Sequence, residues 1–81
     1  MQKAELIDKI QTELHGLYWK RMALKKERRK VLSAVDSAQF VPTDMRREIH
    51  DHYNRELALI EKDIADMREN VRKLKGGGSN G

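Results

Sequence analysis

The sequence predicts an all-α fold: an antiparallel two-helix coiled-coil hairpin, with the capacity to dimerise into a four-helix bundle. Three observations carry this expectation. Apolar residues recur at alternating steps of three and four in two stretches. The first holds Ile7, Ile10, Leu14, Leu17, Leu24, Val31 and Val35, and the second Tyr53, Leu57, Ile60, Ile64, Met67, Val71 and Leu74. That spacing lays each set along one face of a helix. The two stripes also match when one is read backwards about Phe40–Val41, so that Ile7 meets Leu74, Ile10 meets Val71, Leu14 meets Met67, Leu17 meets Ile64 and Leu24 meets Leu57. Such reversed correspondence is what an antiparallel seam requires. Between the stripes stands the single proline, Pro42, which disfavours helical geometry at Val41.

The first helix is expected over about residues 3–37, with one interior glycine, Gly16, costing roughly 1 kcal/mol relative to alanine. A turn follows at about 38–43. The second helix is expected over about 44–75, capped by Thr43 or Asp44 and closed by Arg72, Lys73 and Lys75 near its negative pole. Residues 1–75 thus form one helical hairpin domain. The tail 76–81, GGGSNG, reads as a flexible linker of the kind appended in cloning, so the natural chain is expected to continue beyond Lys75.

Flanking residues add to the register. The reversed reading sets Glu13 against Arg68, Lys20 against Glu61 and Lys25 against Glu56, all of opposite charge. Two arginines fill seam positions. Arg28 falls opposite Tyr53, where its guanidinium can lie over the ring, and Arg21 falls opposite Ile60 with Glu56 and Glu61 within reach.

Composition narrows the function. Charged residues make up 37% of the 81 residues and aromatics 5%, a balance of long amphipathic helices rather than of a compact α/β core. Without cysteine there is neither a disulfide framework nor a thiolate metal site. No apolar run reaches the roughly 18 residues of a membrane span and no secretory segment follows Met1, so the default expectation is a cytoplasmic, intracellular protein without a membrane partner. The net charge of +4 is unevenly spread: residues 20–30 hold seven bases and one acid, whereas residues 44–66 hold seven acids and four bases.

Neither catalysis nor metal binding has a supporting constellation. His50 and His52 stand two apart, on different sides of a helix, and His15 is alone. A hairpin offers no deep pocket, and no nucleophile–base pair or glycine-rich phosphate loop occurs. No cofactor or small-molecule substrate is expected.

Two binding surfaces stand out. Trp19 falls on the back of the first helix beside His15, Met22 and Ala23, with Leu59 at the same height on the back of the second. Outward Trp and Met side chains are favoured at interface centres. A lone two-helix hairpin is near the limit for independent folding, so a cover is expected, either a second copy or a protein partner. The sequence therefore points first to a non-catalytic protein–protein interaction or oligomerisation module, with a scaffolding or regulatory role. The alternative is a nucleic-acid-binding hairpin in which Lys25, Lys26, Arg29, Lys30, Arg46 and Arg47 hold phosphates.

Overall fold

The computed structural model describes residues 2–76. Two helices, α1 (Lys3–Ser37) and α2 (Thr43–Gly76), pack against each other as a hairpin. The elongated molecule measures 59 × 21 × 16 Å. Both helix boundaries lie within a residue of those expected, and Gly76, assigned from sequence to the linker, closes α2. The remainder of that linker, residues 77–81, lies outside the described residues.

Local chemistry sets the helix ends. At the start of α1 the Gln2 backbone N–H donates to Glu5 Oε1 at 3.4 Å, and the Leu6 N–H donates to the Gln2 carbonyl at 3.1 Å. The first satisfies a donor that has no partner within the helix, and the second is the opening i→i−4 bond of α1. Ala38 ends α1 by turning extended, at φ −82° and ψ 124°. The Arg46 N–H donates to the Pro42 carbonyl at 3.0 Å, so Pro42, which lacks an N–H of its own, supplies the acceptor that begins α2. The Arg46 guanidinium then reaches back across the turn, donating to the Ala38 carbonyl at 2.8 Å and to the Val41 carbonyl at 3.3 Å. One side chain thereby ties the end of α1 to the start of α2.

The seam is where the stripes place it. Leu14, Ile60 and Ile64 form its buried centre, packed by Leu17, Tyr18, Leu24 and Met67, while Tyr53, Leu57 and Val71 extend burial along α2. Two polar contacts cross it: Arg21 Nη1 to Glu61 Oε1 at 2.6 Å, and the Tyr53 hydroxyl to Glu27 Oε2 at 2.9 Å. Each lies within one residue of the reversed register, which confirms the antiparallel pairing.

The flanking partners differ from expectation for a geometric reason. Both helices are right-handed, so one step along the rod on each rotates both side chains in the same sense. Residues facing each other across an antiparallel seam have neighbours that therefore diverge to opposite sides of the pair. Glu13 and Arg68, Lys20 and Glu61, and Lys25 and Glu56 are separated in this way. Among the described residues the ion pairs are instead Arg21–Glu61 and Arg72–Glu69, the latter within α2. Lys20 shares a trough with Glu56 and Glu27 on one side of the hairpin, whereas the field of Lys25 falls on Glu61 on the other. The arginine over a tyrosine ring is also not Arg28: Arg21 Cζ sits 5.2 Å from the centroid of Tyr18. The Tyr53 ring meets His52 edge-on, with centroids 5.2 Å apart.

Candidate interaction surfaces

The helices differ in what they leave outside. In α2 the apolar residues concentrate in the seam, where Tyr53, Leu57, Ile60, Ile64 and Val71 are buried; in α1 only Leu14 is. Helix α1 instead keeps large apolar side chains on its back, with Trp19 69% exposed and Met22 60% exposed. His15 and Ala23 are also exposed, one turn before and after Trp19, and together these four make a single outward strip. Leu59 is 59% exposed as well. By its place in the helical period it lies outside the seam on α2, as Trp19 does on α1. Ala23 is the member of the strip nearest to Leu59's side of the hairpin, lining a small trough with Lys20, Leu24, Glu27, Glu56 and Ile60.

The six cations singled out from sequence do not form one patch. Arg46 is half-buried and engaged with the turn carbonyls. Arg47 is exposed near the start of α2, and Lys26 and Lys30 are exposed on the outer side of α1. Lys25 and Arg29 lie elsewhere, in a trough of about 410 Å³ that they line with Arg28, Leu32, His50 and Asn54. The reversed register assigned Arg28 to Tyr53, and His50 was read only for its lack of metal-site neighbours. Same-side geometry of the two right-handed helices would have grouped both with Lys25 and Asn54.

One further exposed feature lies at the hairpin tip, where Phe40 is 92% exposed and Met45 is 51% exposed. The sequence signal was the single phenylalanine, placed two residues before Pro42 in the turn.

Electrostatics is organised around Arg21. Its hydrogen bond holds the Glu61 carboxyl below the usual carboxylate range, against a smaller opposing effect of desolvation, and the charges of Arg21 and Lys25 add to the lowering. The hydrogen bond to Glu27 raises the Tyr53 hydroxyl, helped by burial and by the carboxylate's charge. Arg72 lowers Glu69 and is itself raised by it.

Among the described residues no group of three or more His, Asp or Glu side chains is arranged to hold a metal ion. No helix there is long and apolar enough to cross a membrane. No family model, curated protein or solved structure matches the chain.

Proposed function

We propose that this hairpin is a non-catalytic protein-interaction and oligomerisation module whose α1 back docks against a helix of another chain. A second copy, giving a four-helix bundle, is the simplest occupant. The observation that carries the reading is the exposed Trp19–Met22 strip on a helix with a single buried side chain. No side chain among the described residues is fully buried, so the hairpin alone leaves much of its apolar surface in water. Docking would bury Trp19, Met22 and Ala23, with His15 at the margin, and Lys26 and Lys30 on the outer side of α1 would steer acidic surfaces toward the contact.

Sedimentation velocity across a wide protein concentration range tests this directly. The wild type is expected to associate, and Trp19→Glu to remain monomeric with its helicity retained. Trp19 is the sole tryptophan, so its emission should shift to the blue as association proceeds. A strictly monomeric wild type that melts cooperatively at high temperature would refute the reading for self-association. In that case, capture of a partner lost on Trp19→Ala is required to keep it.

A further inference from the structure

We propose that the trough lined by Lys25, Arg28, Arg29, Leu32, His50 and Asn54 is a binding site for the phosphodiester backbone of a single-stranded nucleic acid. This site is separate from the Trp19 strip and does not depend on it. Three described troughs can be compared. One is lined by Lys20, Glu27 and Glu56 among others, and another by Arg68, Glu69 and Arg72 with Ala65, so each carries at least one carboxylate of its own. The Lys25 trough has three cations and no carboxylate in its lining.

Its cations are also uncommitted. The ion pairs among the described residues, Arg21–Glu61 and Arg72–Glu69, take none of the three, and Lys25 contributes only its field to Glu61. Arg28 and Arg29 offer planar donor forks suited to phosphate oxygens. Lys25 and Arg29 are one turn apart on α1, about 6 Å along the helix axis, so they can reach neighbouring phosphates of one strand.

The opposite wall supplies the other half of a nucleotide site. From α2 His50 brings a flat ring and Asn54 an amide with both donor and acceptor, while Leu32 of α1 adds an apolar side chain to the lining. Unstacked bases are recognised by such combinations of ring stacking and edge hydrogen bonding. The trough runs between two helices along the rod rather than closing into a cavity, which suits a strand passing through it. A flat membrane surface would meet the outermost lysines first and leave His50 and Asn54 without a role.

The test is fluorescence anisotropy of a labelled 12-nucleotide single strand, RNA and DNA in parallel, titrated with the full chain across a salt series. The decisive variant is Lys25→Gln/Arg29→Gln, because both side chains are exposed and the fold does not depend on them; circular dichroism verifies helicity. Its control, Lys73→Gln/Lys75→Gln, removes the same charge at the far end of the rod. The site variant is expected to lose at least tenfold in affinity at low salt, with the slope of log K against log salt falling by about 1.4, at about 0.7 per phosphate contact. The control should lose less than threefold. His50→Ala/Asn54→Ala should change the preference between homopolymeric strands while leaving the salt slope unaltered.

Equal losses in the site variant and the control would overturn the proposal in favour of diffuse attraction, as would a wild type that does not bind at low salt. Stronger binding to vesicles containing phosphatidylserine than to either strand would also overturn it. Trp19→Glu should bind the strand as the wild type does if it is monomeric by sedimentation, which keeps failure here distinct from failure of the interaction reading.

Discussion

Arg21 occupies a seam position that a hydrophobic side chain would ordinarily fill, and its contacts explain how it is tolerated. Its guanidinium lies over the Tyr18 ring and donates to Glu61, so the charge sits at the side of the seam while the stem covers apolar surface. The pair is partly exposed, and its value is in fixing register more than in stability. The linkage has a definite sign. A carboxyl whose folded value is depressed stabilises the native state above its unfolded value, about 4.3 for glutamate. That contribution is lost as pH falls through the depressed folded value. A carbon-detected NMR titration should therefore place the Glu61 midpoint below about 4.3. Arg21→Gln should move it back toward the ordinary range, while Arg72→Gln should release Glu69 and leave Glu61 where it was. A Glu61 midpoint indifferent to Arg21→Gln would show that the cross-seam bond does not persist in solution. Tyr53 carries the opposite sign: its raised hydroxyl supports the fold at neutral pH and loses that contribution as pH rises through its elevated value.

At the level of the element, α1 and α2 are unequal partners. Helix α2 gives the seam most of its buried side chains, so damage there should dominate stability. Ile64, among the most buried residues, should cost about 2–4 kcal/mol on replacement by alanine. That is enough to depopulate a hairpin of this size in thermal or urea melts. Gly16 offers the reverse. It is exposed, and a Cβ built there would meet nothing within 4 Å, so Gly16→Ala should stabilise by about 0.5–1 kcal/mol and raise the melting temperature without altering the seam. A lower melting temperature for Gly16→Ala would indicate that another surface already packs on that part of α1. These elements were legible in the sequence because a three–four apolar period, a proline and a reversed register are local signals. The side partners were not, because they depend on which way each helix turns as the rod is climbed. Thus the seam residues Leu14, Leu17, Ile64 and Met67 were correctly brought together, whereas Lys20 was set against Glu61, on the far side of the pair. The same omission dispersed the trough. Lys25 and Arg29 were read with Lys26 and Lys30, and Arg28, His50 and Asn54 were left out. Arg46 was read as an exposed cation because nothing in its neighbours reveals the two turn carbonyls it serves.

The whole molecule is a rod with a radius of gyration of 18.2 Å, against about 12 Å for a compact domain of the same length. A rod of two helices has one interface and two backs, so burial cannot be completed within a single chain. The backs are unlike. That of α1 carries Trp19 and Met22, and that of α2 carries Leu59 among charged residues, which makes α1 the side on which association would bury more apolar surface per contact. If a second copy supplies that surface, unfolding and dissociation are linked by mass action, and the melting temperature must depend on protein concentration. Calorimetry over a hundredfold concentration range should then show the wild-type transition rising steadily with concentration. Trp19→Glu should melt lower and at a temperature independent of concentration, since its hairpin unfolds alone. Lys25→Gln/Arg29→Gln, which alters the trough and leaves Trp19 in place, should keep the concentration dependence of the wild type. A wild-type transition that is concentration-independent, together with an unchanged Trp19→Glu transition, would mean that the α1 back is solvated in the free protein. The second copy would then be excluded as its cover.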